Sequence, residues 1–516
     1  MHLRPAGPPG AVLMGAVLFR EVLVFDDGAP DGVTGPLDVL VEGNRIAAVG
    51  SAAAPAGARV VEGEGRHLLL PGLVNAHFHS PVNHLKGSLP SYPLELFMLY
   101  ESPPLEGLRP TPREAYLRTM LAAMEMLRRG TTAVQDDAFF MPEPEPRIID
   151  AVMRAYADSG IRATVALDQP QLAEADKLPF ILDGADGELR AMLEAPGPTP
   201  PAQLLEAYRH LIGTWHGAAG GRLRAAVSVS APQRVSPEYW GDLDALSREH
   251  GIPLFAHMLE TKVQRVLGDR HPRFGGRSLV RYTADLGLLN ERTNVIHAIW
   301  VTGEDLDLVA DAGAVIAHNP ISNLRLGSGV MPWRAAMDRG IPICLGTDEA
   351  VADDAVNMWA VAKATGLVHN VTGLPHERWP SAAEVLGCLW RGGARAMGLQ
   401  DDLGAVAPGR LADLTLVDLH TLPFTPLNDV RRQLVYCHDG ESVRMTMVDG
   451  EVVAEDGRLT RVDEDAVLAE TRELFAELRE PRARAIAEAE RWFPHYRAMV
   501  ARAHETEVGM NRWVAL

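Results

Sequence analysis

Between residues 68 and 348 the chain alternates short, almost wholly apolar runs with longer stretches whose apolar residues recur every three or four positions. The runs are LLLPGLVNAH, TTAVQDD, IRATVAL, LRAAVSVSAP, IPLFAHM, TNVIHAIWV, GAVIAHNP and IPICLGTD, eight in all. Near-continuous apolar strands between amphipathic helices are the pattern of a parallel sheet covered on both faces, and eight such strands close a barrel. REAYLRTMLAAMEMLRRG, residues 113–130, shows the intervening texture, with apolar positions three and four apart and a terminal glycine. An α/β fold is therefore expected, a (β/α)8 TIM barrel over residues 71–404.

The two ends of the chain read differently. EVLVFDD, LDVLVEGNRIAAVG and ARVVEGEGRHLLL, within residues 15–70, alternate apolar and polar positions between Gly, Pro and Asp turns. ADLTLVDL and VRMTMVDGEVV repeat that texture within 405–460. The expectation is a small β-sandwich domain completed by both ends, with the barrel inserted between them. Residues 168–203 are too long for an ordinary barrel loop and rich in Pro, Asp and Glu, so they are expected to lie over the site as a lid. Residues 461–516 read as a helical extension, with Val467, Leu474, Phe475 and Leu478 on one face and breaks at Pro481 and Pro494.

Composition narrows the function. Of 516 residues 47% are hydrophobic, enough for a large core and a smaller one. The net charge of −19, with 68 acidic against 49 basic residues and no Lys/Arg run, argues against a nucleic-acid partner. Cys344, Cys388 and Cys437 are far apart, so neither a disulfide framework nor a thiolate zinc cluster is encoded. The apolar stretch AVLMGAVLF is only nine residues long and meets Arg20, too short to span a membrane. A cytoplasmic protein with no membrane partner is expected.

Placed on the eight runs, the histidines stop looking scattered. His77 and His79 end the first run, His257 the fifth, His297 the sixth, and Asp348 ends the eighth. In a parallel barrel these ends meet at one mouth. With 18 histidines, chance supplies about 0.6 His-x-His pairs per chain, so the pair alone means little. Its position changes that, because four imidazoles and a carboxylate form a nitrogen and oxygen donor set suited to zinc or iron.

PGLVNAHFHS, HMLE at 257–260, His297, HNPISNLRLGSG at 318–329 and LGTD at 345–348 occur in this order. Together they resemble the amidohydrolase superfamily, in particular its mononuclear cytosine deaminase-like and chlorohydrolase-like branch, over residues 15–460. The resemblance implies that His77, His79, His257 and Asp348 hold one divalent metal ion per chain, zinc, with iron as the alternative. It implies that Glu260 is the proton shuttle and that His297 orients the water and polarises the substrate. Binuclear relatives bridge two metals with a lysine from strand three or four; this chain has none between Lys86 and Lys177 or in IRATVAL and LRAAVSVSAP.

The implied chemistry is hydrolytic deamination of an amino-substituted nitrogen heterocycle. The metal lowers the pKa of its water from about 15.7 towards 7, Asp348 takes a proton, and Glu260 protonates the ring nitrogen and then the leaving amine. Loss of chloride or an alkylamine, or opening of a cyclic amide, needs the same first step and stays open as an alternative, as does a non-catalytic binding role. Gln233, Asn319 and Asn323 are candidate substrate contacts. His84 and Asn83 read as loop residues. Gln233-Arg234 stands where many of the family's deaminases have His or Tyr after the Ala-Pro, which speaks against a nucleoside or simple purine, and Leu96-Phe97-Met98 replaces the usual Trp-Leu turn, so the rim is altered while the metal ligands are intact. A homodimer or higher homo-oligomer is expected by analogy with the family.

Overall fold

The computed structural model describes residues 15–101, 109–140 and 143–514; of the apolar stretch near the N-terminus, residues 11–14 lie outside the described residues. All eight apolar runs become barrel strands. They are Leu73–His79, Thr131–Phe139, Arg162–Asp168, a fourth in two pieces (Leu223–Ala225 and Val227–Ser228), Leu254–Met258, Thr293–His297, Val315–His318, and an eighth split into Ile343–Leu345 and Asp348–Glu349. Every pairing among them is parallel. The break in strand four divides its bonds between strands three and five, and the break in strand eight lets Asp348–Glu349 pair with strand one and close the ring.

The intervening helices carry the start signals their sequences announce. Thr111 caps Pro112–Arg128 in a reciprocal capping box with Glu114, proline stands in the first turn, and Gly130 follows at φ +85°. Packing on that helix buries Leu117, Met120, Met124 and Leu127 in the barrel's main apolar cluster.

The two chain ends share one nine-stranded sheet. Its central seam pairs Leu414–Asp418 antiparallel with His67–Pro71, Leu416 opposite Leu69. Phe19, Val41, Leu69, Leu414 and Met447 fall in one apolar cluster, so both ends contribute to one small core. The Asp449-Gly450 turn, at φ +54° and +82°, joins Val443–Val448 to Glu451–Glu455 in the geometry that a two-residue hairpin requires. This sheet docks on the lower end of the barrel. Arg162, at the start of strand three, is buried against Asp413 at 2.8 and 3.0 Å and Asp449 at 3.0 Å. The upper mouth is left for other segments.

Those segments are the insert and the C-terminal helices. Within 168–203 lie two short helices, Glu174–Lys177 and Gly187–Glu194. Ile181 and Leu193 from the insert pack with Phe97 and Leu99 from the segment after strand one, and with Tyr496, Met499 and Val500. The C-terminal helices are Glu464–Glu477, Arg479–Glu490 and Phe493–Glu505. Pro481 and Pro494 therefore sit inside first turns, just after the breaks, where a missing N–H is tolerated. Among the described residues no helix is long and apolar enough to cross a membrane.

Candidate metal centre

His77 and His79 are two apart on strand one and so share a face; their ring centres are 4.7 Å apart. His257 lies 5.0 Å from His77 and 5.4 Å from His79 by ring centre, and His297 lies 5.5 Å from His257. Asp348 Oδ1 stands 3.2 Å from His77 Nε2 and 3.4 Å from His79 Nε2. On its other side, His297 Nε2 is 4.0 Å from Asp348 Oδ2 and 3.5 Å from Glu260 Oε2. His297 and Asp348 both adopt left-handed backbone, φ +72° and +64°. That costs about 1–3 kcal/mol per residue and persists where surrounding structure holds it, typically at a site.

The donor atoms are arranged for a cation. His79 Nδ1 donates to the Asp137 carbonyl at 2.5 Å and His257 Nδ1 to the Ser230 carbonyl at 2.7 Å. Each Nε2 is thereby left basic and free to ligate. His77 Nε2 is buried without a hydrogen-bond partner, a defect worth about 1–3 kcal/mol that a bound ion would remove. His77, His79 and Asp348 bring donor atoms within 4.8 Å of one another, and three further overlapping triads add His257, His297, Glu260 and Asp168. The residues present fit a zinc-type ion.

Electrostatics divide the groups by role. Burial alone would raise the Asp348 carboxyl, but the imidazoles of His77 and His79 beside its Oδ1 hold it well below its ordinary range, and Ser322 Oγ donates to its Oδ2 at 2.6 Å. Glu260 moves the opposite way: burial first, then the charges of Asp348 and Glu95, push it well up. Burial also drives His257 well down and His297 to about 3, so both are neutral imidazoles.

Asn319 and Asn323 are buried behind His297, their amides donating to its Nδ1 at 3.2 and 2.9 Å. The ring proton therefore sits on Nε2, facing Glu260. Neither asparagine lines the inner pocket, a space of about 100 Å³ bounded by His79, Glu101, Asp168, Arg234, Glu260 and Glu349 among others. Gln233 lines instead a larger cavity of about 1210 Å³ that opens from it. Asp137 and Asp168 are additions that the strand-end rule would have supplied, since Asp137 ends run two and Asp168 directly follows run three. Glu101 and Glu349, which share a hydrogen bond at the pocket wall, had weaker signals: Glu349 only its place beside Asp348, and Glu101 none.

The larger cavity is walled by the insert through Leu172, Lys177 and Met192 and by the C-terminal helices through Phe475, Arg482 and Tyr496. The C-terminal segment also reaches the site indirectly. Trp513 Nε1 donates to Gly327 O and Val330 N to Arg512 O, each at 2.8 Å. The loop they hold includes Ser328, whose Oγ donates to Glu260 Oε1 at 3.3 Å.

Residues 68–453 match the model of the amidohydrolase family. The 5-methylthioadenosine/S-adenosylhomocysteine deaminase of Nitratidesulfovibrio vulgaris (strain Miyazaki F) is 34% identical over 87% of this chain and 93% of its own. The 5'-deoxyadenosine deaminase of Methanothermobacter thermautotrophicus is 30% identical over 85% and 94%. Among solved structures, a zinc-bound adenosine deaminase from Xanthomonas campestris superposes with a TM-score of 0.77 at 26% identity, covering 90% of this chain and 98% of that one. A triazine hydrolase from Arthrobacter superposes at 0.79 with 24% identity over 89% and 99%, a likeness of fold.

Proposed function

The chain belongs to the amidohydrolase family, and from that premise we propose that it hydrolytically deaminates an amino-substituted nitrogen heterocycle, a purine nucleoside in the first instance. Relatives on both sides of the comparison are named as deaminases of adenosine compounds. The Gln233-Arg234 and Leu96-Phe97-Met98 departures then bear on which substituents the nucleoside carries, and the first no longer weighs against the class.

One divalent ion, zinc or alternatively iron, held by His77, His79, His257 and Asp348, would supply the electrophile that activates water. The remaining steps belong to side chains. Asp348, whose low pKa keeps it ionised, accepts a proton from the incoming water at Oδ2. His297 presents its Nε2–H as a hydrogen-bond donor and stays neutral throughout, because Asn319 and Asn323 occupy its other nitrogen. Glu260 gives its proton to the ring nitrogen beside the amino-bearing carbon, takes one back from the hydroxyl added at that carbon as the carbonyl forms, and delivers it to the departing amine; the proton held by Asp348 then restores Glu260. Such transfers contribute typically 10²–10⁴-fold.

The observation that carries this reading is Glu260. It is buried, burial pushes its carboxyl well above the ordinary range, and its Oε2 stands 3.5 Å from His297 Nε2, which places a proton donor where loss of a poor leaving group such as ammonia requires one. The test is ammonia release from 5'-deoxyadenosine and 5-methylthioadenosine by metal-loaded protein, run beside a chloro-substituted triazine. Release of ammonia from the nucleosides supports the reading. Chloride from the triazine with no ammonia from any aminoheterocycle would overturn it.

A further inference from the structure

The chain is strongly acidic, yet the cavity of about 1210 Å³ is lined by two guanidinium groups, Arg118 and Arg482, that form no ion pair among the described residues. Arg118, on Pro112–Arg128, donates to the Pro81 carbonyl at 3.3 Å, while its Nε is buried without a partner. Arg482, on the second C-terminal helix, makes no ion pair among the described residues, and its buried terminal nitrogen also lacks a partner. Phe475 lies between the two elements, stacked on His84 at 4.9 Å and beneath the Arg118 guanidinium at 5.6 Å. His84 Nδ1 is a third buried polar atom left unpaired here. Burial and then the charges of Arg118 and Arg482 hold His84 neutral, so both cations bear on the same spot.

Three other cations of this cavity have carboxylate partners, while Arg234, Arg472 and Arg479 also form no ion pair among the described residues. Lys86 pairs with Glu125 at 3.0 Å, Arg109 with Glu143 at 2.9 Å, and Lys177 with Glu174. The nearby carboxylates are already engaged: Glu114 accepts from the Thr111 backbone as part of the helix cap, and Glu101 is bonded to Glu349. Glu114 and Glu101 act on Arg118 and Arg482 by charge, but neither forms an ion pair with them among the described residues. Planar guanidinium forks match carboxylate and phosphate oxygens.

We propose that Arg118, Arg482 and His84 form a subsite for an anionic group, carboxylate or phosphate, carried on the part of the substrate remote from the reacting carbon. Arg234 lines both the inner pocket and this cavity, so the two spaces are continuous and one molecule spans them. Arg482 lies beyond residue 453, where the family match ends, so this preference is a property of this chain's C-terminal extension. The proposal extends the deaminase reading by naming a substituent.

Two measurements separate the inference from the reading on which it rests. First, titration calorimetry of the full-length protein with inorganic phosphate and with succinate needs no turnover; binding is expected and should weaken at least tenfold in Arg482→Gln. Second, metal-loaded enzyme is assayed with 5'-deoxyadenosine and with adenosine 5'-carboxylic acid. The acid should be preferred in kcat/KM by tenfold or more, and that ratio should collapse by about tenfold in Arg482→Gln and Arg118→Gln, mainly through KM. Arg482→Gln removes no side-chain hydrogen bond or ion pair among the described residues, and its melting temperature checks that it is intact. Phosphate binding without preference for the acidic nucleoside would mean that the site takes a free anion, and the substrate assignment falls. No binding of either anion and no preference would overturn the subsite. Anion binding with no deamination of any heterocycle would leave the subsite standing and sink the deaminase reading.

Discussion

Asn323 donates its side-chain amide to His297 Nδ1 at 2.9 Å, and this contact decides which ring nitrogen carries the proton. Asn319 adds a second amide at 3.2 Å. Replacing Asn323 with Ala should lower turnover about 10- to 100-fold with metal content unchanged, as expected for a partner that orients a site imidazole. Asn323→Asp should be worse than Ala, because an aspartate would pull the proton to Nδ1 and strip the donor from the pocket. Equal activity in wild type and both variants would remove the positioning role.

Glu260→Gln keeps size and most hydrogen bonds and loses only the ability to pass a proton. Turnover should fall about 10²-fold or more with the ion still bound. Elemental analysis beside the assay decides the matter; a variant that sheds its metal would make Glu260 a ligand.

His257→Ala should lose ion and activity together, since Nε2 of this ring faces the centre while Nδ1 is fixed on Ser230. Chelation of the wild type should abolish activity, and zinc should restore it. Full activity in a metal-free preparation would refute the centre.

His438 offers a pH test away from the site. It is buried against Trp359 and Phe424, and burial lowers its pKa from 6.5 to about 4. The folded state therefore prefers the neutral ring while the unfolded state protonates near 6.5. Stability from this group is complete above pH 6.5, declines as pH falls, and is lost by about pH 4, a total of roughly 3 kcal/mol. Urea unfolding at pH 7 and pH 5 should show a shallower acid slope in His438→Gln than in wild type.

Arg162 bridges Asp413 and Asp449 at the base of the barrel. Arg162→Met would leave two buried carboxylates without a counter-ion, and about 3–5 kcal/mol of stability should go with it. Arg162→Met combined with Asp413→Asn and Asp449→Asn should recover part of that loss, measured by denaturant midpoint.

Strand order was readable because both-face burial makes each barrel strand a nearly unbroken apolar run. The polar residue ending such a run must then stand at the mouth, which is how His77, His257 and Asp348 stood out. The same logic applied to TTAVQDD, and to the residue that directly follows IRATVAL, points to Asp137 and Asp168. The rule fails for walls built by helices. Glu101 ends Leu94–Glu101, and Arg118 and Arg482 sit on amphipathic helices where an arginine resembles any solvated residue until packing shows what it faces. Asn319 and Asn323 illustrate a second limit: spacing placed them near His297 but could not say whether their amides turned inward to the ring or outward to a ligand.

The seam between His67–Pro71 and Leu414–Asp418 joins segments that emerge from the ribosome far apart in time. Until the later strand arrives, Leu68, Leu69 and Leu70 form an apolar edge with unpaired backbone groups, the kind of surface that recruits strands from other chains. Truncations ending before residue 414 should accordingly collect in inclusion bodies although every barrel strand is present. Two chains made side by side on one message have the opportunity to exchange their 414–459 segments, giving a swapped dimer in which each barrel is sealed by its neighbour.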